Sequence, residues 1–398
     1  MATEMAMEQL DTDIFDYVTA GISSRDDELF NRLMLRCFAE QYACSGTYRD
    51  YCLKLGVAPQ TIVSWDEIPA VTSFRHRERL DRLYPLQKAE EIALKSRAVD
   101  LSHSRGPFFP AERLVALQRL VQVHSARGYL FPDITRMKML FFVPQPRMAP
   151  GMVMASGLER FRQEFGVTGS RFLITFTGLD LKGFVKDLQL AERSGEPLAI
   201  LGATHGLDYF MDACLQAGVR FRLPTGSRIM DSGGFMGRYA ATPPEQFFTN
   251  CEKVFGVARQ YCVNAFWLCE SSTVYFDSVL ADAINLGSRE RCKIPPPWTR
   301  VQIVDPLTFR QVNRGETGLI RLFDLSNRGM AAVVQTDKMG YEVADGFEVV
   351  GKLDKSDPHG GVDMKPSHPG GKLVSRLMES AMRKKMAGIS NIVAMFNN

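Results

Sequence analysis

The sequence lacks any long apolar run and any recognisable secretion signal. Its uninterrupted apolar stretches are short, as at residues 139–143, whereas a helix that crosses a bilayer needs roughly 20 apolar residues. The N-terminus, MATEMAMEQLDTD, is acidic and has neither the basic nor the apolar segment of a signal peptide. The sequence therefore predicts a cytoplasmic protein without a membrane span.

The sequence also lacks clustered cysteines and a strong net charge. None of its 8 cysteines forms a CxxC pair or a Cys/His cluster of zinc-site spacing, so we expect mostly buried, reduced thiols. The net charge is only +3 and no basic stripe with interleaved aromatic residues occurs, which argues against a nucleic-acid partner. A content of 45% apolar and 23% charged residues is ordinary for a globular protein with a large core.

The order of the predicted elements indicates an α/β fold. From residue 96 onward, short apolar strands alternate with helices, which is the pattern of βαβ units and a parallel sheet. The predicted strands are residues 137–143, 171–177, 197–201 and 219–223, and the predicted helices are residues 157–165, 181–192 and 207–217. Sheets of this kind bind ligands in loops at the carboxyl ends of their strands.

We predict four consecutive segments in the chain. They are an N-terminal helical segment of the large domain at 1–95, an α/β core at 96–294, a small β subdomain at 295–352, and a C-terminal part at 353–398. The last part reads as a mobile loop rich in Pro and Gly, residues 354–371, followed by an amphipathic helix, residues 372–386.

Residues 314–352 carry the pattern that is most informative about function. They read as strands at 319–323, 330–335 and 346–351, and Thr336–Asp337 ends the second strand. A carboxylate at a strand end can accept hydrogen bonds from two vicinal hydroxyls of a ribose. The alternative interpretation is that Asp337 caps a turn, as Asp often does.

The Thr-Asp-x-x-Gly step at Asp337 and the Gly-Phe-Glu-x-x-Gly-Lys step that ends at Lys352 resemble the end of the large domain in adenylate-forming (ANL) enzymes. Within that superfamily they are most similar to the acyl-protein synthetase of bacterial luminescence (LuxE type) and the phenylacetate-CoA ligases (PaaK type). The resemblance implies an ANL-type large domain with a truncated or absent small domain. It also implies that Asp337 holds the ATP ribose and that Lys352 begins a hinge.

A second segment, Ser102-His103-Ser104-Arg105-Gly106, resembles the phosphate loop of that family. Backbone N–H groups and hydroxyls in such a loop can surround phosphates. Ser102, Ser104 and Gly106 match the family pattern in type, whereas His103 replaces a Gly and Arg105 replaces a Thr. Arg105 could supply a positive charge to the triphosphate. A plain loop with an Arg at its tip is the alternative interpretation.

A third segment, from Phe266 to Glu270, resembles the Tyr-Gly-x-Thr-Glu step of the family. The resemblance implies that Phe266 flanks the adenine, that Cys269 stands where a Thr contacts the α-phosphate, and that Glu270 holds Mg²⁺. A carboxylate after a buried strand needs a cation or hydrogen-bond donors, which a structural salt bridge would also supply. Trp267 replaces the Gly, which either narrows the expected site or indicates that a nucleotide no longer fits there.

Three further predictions concern the ligand pocket and the acyl transfer. Gly233 and Gly234 permit close backbone approach to a flat ligand, although paired glycines are common in turns. Phe235, Trp267 and His205 are expected to line the acyl pocket, and a surface position for His205 is the alternative. Lys372 ends the segment Pro369-Gly370-Gly371-Lys372, which resembles the Pro-x-x-Gly-Lys step that holds the family's catalytic Lys, and an ordinary Lys at a helix start is the alternative. No cysteine follows Cys292, so self-acylation near the C-terminus is not expected.

The resemblance implies a ligase with ATP and Mg²⁺ as cofactors, which activates a fatty or aromatic carboxylic acid as acyl-AMP. The acyl acceptor would be CoA, a carrier protein, an amine or a partner enzyme. The altered phosphate loop leaves two alternatives open. One is a non-catalytic binding subunit, and the other is an acyltransferase that works without ATP.

Overall fold

A computed structural model describes residues 2–72, 111–149, 152–232, 243–268, 270–353, 362–363 and 384–396. The helices in these ranges are Ala2–Thr19, Asp27–Cys44, Gly46–Lys54, Ala111–Tyr129, Val153–Phe165, Leu181–Ser194, Thr204–Gln216, Pro244–Phe255, Val279–Ile284 and Ile389–Ala394. The strands are β1 (Val71–Thr72), β2 (Lys138–Pro144), β3 (Arg171–Thr175), β4 (Gly178–Leu179), β5 (Leu198–Ala203), β6 (Arg228–Ser232), β7 (Cys262–Phe266), β8 (Tyr275–Phe276), β9 (Thr299–Val304), β10 (Gly318–Asp324), β11 (Val333–Val343), β12 (Gly346–Leu353) and β13 (Val362–Asp363). No helix among the described residues is both long and apolar enough to span a membrane.

The chain forms two compact units, each assembled from three separate stretches. The first unit contains Met1–Gly128, Trp267–Tyr275 and Cys292–Asp363. The second unit contains Tyr129–Phe266, Phe276–Arg291 and Met364–Asn398. The four segments predicted from the sequence are each continuous in the chain, whereas the two units are not. The units therefore do not test the four-segment division, which stays a prediction.

The second unit is built on a mainly parallel sheet whose strand order is β4-β3-β2-β5-β6-β7-β8. Strands β3, β2, β5, β6 and β7 run parallel, as the alternation of strands and helices predicts. The chain passes from β2 to β3 and then returns beyond β2 to β5, which makes the β2/β5 border a topological switch point. In open α/β sheets this is where the crevice for ligands opens, at the carboxyl ends of the strands.

Amphipathic helices cover this sheet because their apolar residues recur at helical spacing. The Leu181–Ser194 helix begins at Asp180, whose side chain accepts a hydrogen bond from the Gly183 N–H, and ends at Gly195 in the left-handed conformation. Its buried Phe184 packs edge-on against Phe142 of β2 and Phe210 of the next helix. Leu188, like Phe184, belongs to the resulting apolar core of the unit.

One predicted strand, residues 219–223, is wrong. The backbone N–H groups of Phe221 and Leu223 donate to the carbonyls of Val254 and Phe255, at 2.7 and 2.9 Å. The segment therefore pairs with the end of the Pro244–Phe255 helix, and the strand that follows in the sheet is β6. The alternating apolar residues are buried as predicted, but helix carbonyls accept their hydrogen bonds, which the alternation alone cannot distinguish from a strand.

The first unit combines the N-terminal helices with a sheet of strand order β13-β12-β11-β10-β9, in which neighbouring strands are antiparallel. The short β1 pairs in parallel with β11. The buried side chains of Phe30, Phe38, Trp298 and Phe323 belong to its core. Strand β13 lies within the predicted loop 354–371, so two residues of that loop form a strand instead. The predicted helix at 372–386 lies largely outside the described residues.

A buried charge cluster joins these helices to the turn between β10 and β11. The Nε of Arg328 donates to Oδ1 of Asp11 at 2.9 Å, and its other nitrogens contact Glu40 and the Sγ of Cys37. Arg328 is buried, so its charge requires these partners. Burial raises the pKa of the Cys37 thiol to about 11, which keeps it protonated at neutral pH.

Candidate functional site

Asp337 lies in a bulge of β11. Arg321 of β10 pairs with Gln335, and Leu319 pairs with Met339, so Thr336, Asp337 and Lys338 together face a single residue, Ile320. The Oγ1 of Thr336 donates to the Ile320 carbonyl at 2.7 Å and satisfies the acceptor that the bulge leaves. Bulges redirect individual side chains and are common beside active sites.

The prediction that Asp337 ends a strand is wrong in its local detail. Strand β11 continues from Val333 to Val343, and Asp337 lies inside it, so Asp337 caps no turn. The sequence suggested a strand end because Asp is rare in strands and because the bulge interrupts the alternation of side chains.

The carboxylate of Asp337 takes part in a buried ion pair. Its Oδ1 lies 2.9 Å from the Nζ of Lys338, and less than a tenth of either side chain is exposed. Lys338 in turn faces Lys352 of β12 in the strand register. The structure therefore brings Asp337 and Lys352, both predicted nucleotide-binding residues, onto neighbouring strands beside a second lysine. A ribose hydroxyl that bonds to Asp337 has to share the carboxylate with Lys338 or displace it.

Glu270 lies in the turn that follows β7, and it is half-buried. Its backbone carbonyl accepts a hydrogen bond from Nδ2 of Asn327 at 2.9 Å. The N–H of Ser272, two residues further on, donates to Oδ1 of the same amide at 2.9 Å. Asn327 therefore bridges both ends of the Glu270–Ser272 turn.

Asp324, the last residue of β10, holds the continuation of this turn. Its Oδ2 accepts from the Ser271 hydroxyl at 2.7 Å and from the Thr273 N–H at 3.3 Å. Its Oδ1 accepts from the N–H and the hydroxyl of Ser326. Burial raises the pKa of the Asp324 carboxyl, and these donors partly offset that effect.

The second unit carries a buried polar cluster at the carboxyl ends of β5, β6 and β7. The Oδ2 of Asp231 accepts from Oγ1 of Thr204 at 2.7 Å and from Nδ2 of Asn264 at 2.9 Å. Burial raises the pKa of the neighbouring Asp208 to about 7, and the charges of Asp212 and Asp231 add to the effect. Sequence reasoning did not identify this cluster, because Asp208 lies in a helix pattern and Asp231 in a strand.

Two predicted pocket residues also lie in the second unit. His205 is exposed in the first turn of the Thr204–Gln216 helix, directly after β5. The exposure agrees with both interpretations of His205, as a surface residue and as a residue of an open pocket. Phe266 is buried at the carboxyl end of β7. Trp267 is half-buried and belongs to the first unit.

The other predicted site residues lie outside the described residues. They are Ser102, Ser104, Arg105, Gly106, Gly233, Gly234, Phe235, Cys269 and Lys372. Their roles stay predictions. The residues that sequence reasoning missed are Asp324, Asn327 and Lys338. The signal for the first two was present as Asp-Leu-Ser-Asn after an apolar strand, a polar run typical of a hydrogen-bonded turn.

The donor chemistry of the described residues fits a magnesium ion that is shared with phosphates. Within the described ranges no three His, Cys, Asp or Glu side chains are grouped to hold a metal by themselves. Mg²⁺ usually takes only one or two protein carboxylates and completes its shell with water and substrate phosphates. One half-buried carboxylate on a hydrogen-bonded turn, such as Glu270, suits that arrangement.

Comparisons with known proteins identify the fold. No family model and no curated protein sequence matches the chain. A solved open conformation of 2-hydroxyisobutyryl-CoA ligase, in complex with 2-HIB-AMP and CoA, is similar over 85% of this chain and 78% of that chain, with a TM-score of 0.53 and 12% identity. Its similarity shows that this chain has the α/β fold of adenylate-forming enzymes, and it confirms the predicted fold class.

Two further solved structures are similar to smaller shares of this chain. The ATP-bound RpMatB-BxBclM chimera B3 is similar over 60% of this chain and 44% of that chain, with a TM-score of 0.39 and 11% identity. O-succinylbenzoate coenzyme A synthetase (MenE) from Bacillus subtilis, in complex with ATP and magnesium, is similar over 61% of this chain and 48% of that chain, with a TM-score of 0.40 and 14% identity. The chain thus spans less than half the length of either protein.

Proposed function

We propose that this protein uses MgATP to activate a carboxylic acid and then transfers the acyl group to a thiol, an amine or a carrier protein. The observation that carries the proposal is the carboxylate of Asp337, which a bulge displaces from the register of a strand in the adenylate-forming fold. The 2-hydroxyisobutyryl-CoA ligase of this fold is described as a complex with 2-HIB-AMP and CoA, an acyl adenylate and a thiol. That complex supports the proposed type of reaction.

In the proposed reaction, an oxygen of the substrate carboxylate attacks the α-phosphorus of ATP. The bond from that phosphorus to the bridging oxygen breaks, and pyrophosphate leaves. The nucleophile of the acceptor then attacks the acyl carbon, loses its proton, and expels AMP. Most of the acceleration would be electrostatic, because negative charge increases on the phosphate oxygens in the first step.

Each predicted residue has a role in this reaction. Asp337 would accept hydrogen bonds from the ribose hydroxyls, and Phe266 would flank the adenine. The side chains of Ser102, Ser104 and Arg105 and the backbone at Gly106 would donate to the phosphates. Lys372 would approach the substrate carboxylate and the α-phosphate. The remaining predicted nucleotide contacts are Gly233, Gly234, Cys269 and Lys352.

Glu270 is the proposed magnesium ligand. When bound, Mg²⁺ would neutralise phosphate charge and orient the leaving pyrophosphate. Glu270 contributes one carboxylate, and its turn is fixed by Asn327 and Asp324 through the hydrogen bonds described above. Because the turn is already ordered, less conformational entropy is lost when the ligand binds.

We further propose that the substrate is a fatty or an aromatic acid and that the protein belongs to the LuxE and phenylacetate-CoA ligase branch. An apolar acyl chain or ring suits a pocket lined by Phe235 and Trp267, with His205 at its edge. The motifs at Asp337 and Lys352 support the branch.

A second candidate function is a non-catalytic binding subunit. The buried ion pair between Asp337 and Lys338 favours it, because the carboxylate that would hold the ribose already has a cationic partner at 2.9 Å. Such a protein would bind an acyl compound or a partner enzyme without forming an adenylate. The two candidates differ in whether pyrophosphate exchanges with ATP.

The test is carboxylate-dependent exchange of labelled pyrophosphate into ATP, measured across fatty, aromatic and amino acids. We expect exchange with at least one fatty or aromatic acid, and a roughly 100-fold loss in Asp337→Ala, because two charge-assisted hydrogen bonds to the ribose disappear. Glu342→Ala is the matched control, since Glu342 is a half-buried carboxylate on the regular part of β11 and should leave exchange unchanged.

Absence of exchange with every acid, together with absence of ATP binding in calorimetry, would contradict the proposed function. Binding of an acyl compound without pyrophosphate exchange would favour the binding subunit instead. Thermal unfolding offers a rapid version of the binding test, because a ligand at 100 times its Kd stabilises the native state by about 2.7 kcal/mol.

A further inference from the structure

The side chain of Asn327 is buried and all of its amide groups are engaged. It is 1% exposed, and its Nδ2 donates to the carbonyls of Glu270, at 2.9 Å, and of Ala331, at 3.2 Å. Its Oδ1 accepts the Ser272 N–H at 2.9 Å. Both bonds to the Glu270–Ser272 turn are made to backbone atoms, so they fix the direction in which the turn presents the Glu270 side chain.

The neighbouring contacts hold other parts of the same loop. Asp324 binds the side chain of Ser271 and the backbone of Thr273, and Gln122 donates to the Ser272 carbonyl at 3.0 Å. The Nε1 of Trp298 donates to Oγ1 of Thr273 at 3.0 Å. Among these described contacts, Asn327 makes the one that reaches the backbone of Glu270 itself. Loss of that contact would leave the rest of the loop anchored.

We propose that Asn327 is a positioning residue that orients the Glu270 carboxylate toward the magnesium ion of bound MgATP. The inference rests on the proposed function, because it requires Glu270 to act as the magnesium ligand. Groups behind a metal ligand set its orientation, and their loss commonly lowers metal affinity by about 10-fold to 100-fold. The bonds of Asn327 go to backbone atoms of the Glu270–Ser272 turn, so Asn327 acts on the direction of the Glu270 side chain through the turn.

The structure supplies a matched control in Gln41. Its Nε2 donates to the carbonyls of Met330 and Asn327, at 2.8 and 3.4 Å, and its Oε1 accepts the Ala332 N–H at 3.1 Å. Gln41 therefore clamps the same turn between β10 and β11 with the same chemical group. None of these three bonds reaches the Glu270–Ser272 turn.

The experiment compares Asn327→Asp with Gln41→Glu. Each substitution keeps an acceptor oxygen and removes the amide donors, so each loses its bonds to backbone carbonyls. ATP binding is measured by calorimetry at a series of free Mg²⁺ concentrations, a readout that requires no turnover. We expect Asn327→Asp to raise the half-saturating Mg²⁺ concentration roughly 10-fold, with less than about a 2-fold change for Gln41→Glu.

Two further measurements keep the inference testable. In a Glu270→Gln background, Asn327→Asp should add little to the loss of Mg²⁺ dependence, because the two residues act through one contact. If Asn327→Asp does not fold, the neutral Asn327→Ser replaces it with the same expectation. Equal Mg²⁺ dependence in wild type and a folded Asn327 variant overturns the inference alone. Absence of Mg²⁺-dependent ATP binding in the wild type contradicts the proposed function and the inference together.

Discussion

At the scale of single residues, Asp208 couples the second unit to pH. It is buried on the Thr204–Gln216 helix, which also carries Asp212, while Asp231 of β6 and the Cys251 thiol of the Pro244–Phe255 helix lie near it. Burial raises the pKa of Asp208 to about 7, with Asp212 and Asp231 adding to the effect. An Asp in the unfolded chain loses its proton near pH 4, so the folded state binds more protons between about pH 4 and pH 7.

The stabilising contribution of protonated Asp208 is therefore complete below about pH 4 and is lost as the pH rises through about 7. Between pH 5 and pH 8, we expect the free energy of unfolding of the wild type to fall by roughly 2–3 kcal/mol more than that of Asp208→Asn. One pKa unit corresponds to about 1.4 kcal/mol. Urea unfolding at both pH values measures this difference. Asp305→Asn is the control, since Asp305 forms a hydrogen-bonded turn in the first unit. Parallel pH profiles for wild type and Asp208→Asn would contradict the assignment.

Individual site residues could be predicted from the sequence only where a short local motif marks them. Asp337 and Glu270 could be identified because short motifs surround them, and their chemical roles stay predictions. The contacts of Lys338, Asn327 and Asp324 could not be predicted, because they depend on the bulge and on loops that are distant in the sequence, although Asp324 and Asn327 lie in a polar run typical of a hydrogen-bonded turn. The Asn327 amide, for example, bonds to a carbonyl 57 positions away.

At the scale of elements, the bulge in β11 depends on a glycine next to it. Gly340 pairs with Gly318 of β10 and with Val349 of β12. A Cβ at Gly340 would lie 2.2 Å from the Glu348 carbonyl and 2.9 Å from Cδ1 of Ile320, the residue that faces the bulge. The strands around Asp337 can approach this closely only because position 340 has no side chain.

We expect Gly340→Ala to lower the free energy of unfolding by about 1–3 kcal/mol, because the extra methyl group forces β11 and β12 apart. Denaturant unfolding measures the effect, and pyrophosphate exchange should fall with it as the bulge shifts. Gly388→Ala is the matched control, since a Cβ there meets no atom within 4 Å. Equal stability of the two variants would show that the bulge tolerates a wider strand separation.

The existence of most strands and helices could be predicted from the apolar pattern. Residues 137–143, 197–201 and 346–351 correspond closely to β2, β5 and β12. The prediction of a strand at residues 219–223 was wrong because their backbone N–H groups donate to carbonyls at the end of a helix. Such a partner is determined by tertiary contacts and not by the local sequence. The length of β11 was underestimated because a bulge and a turn give the same break in alternation.

At the scale of the whole molecule, each unit has its own core. In the first unit, the first two helices contact the buried charge of Arg328. Asp11 and Glu40 lie on the first two helices, and Arg328 lies in the turn between β10 and β11. A buried charge that loses its partner is strongly destabilising, while an exposed ion pair contributes little. Arg36, which pairs with Asp13 on the same two helices, is more than 40% exposed and provides that contrast.

We expect Arg328→Ala to destabilise the first unit by about 3–5 kcal/mol, because the largely buried carboxylates of Asp11 and Glu40 lose their nearest cation. Arg36→Ala should cost less than about 1 kcal/mol. Hydrogen exchange should show protection lost over Ala2–Thr19 and Asp27–Cys44 in the first variant and kept in the second. Unchanged protection in Arg328→Ala would mean that apolar packing alone holds these helices.

The charged groups of the Arg328 cluster are synthesised at very different times. Asp11 and Arg328 are 317 positions apart, so the carboxylates of the first helices are made long before their cation. At about 5–20 residues per second, a ribosome needs roughly 15–60 s to cover that distance. During this interval the N-terminal helices carry acidic groups on the face they will later bury. That face therefore stays compatible with water until its counter-charge is made.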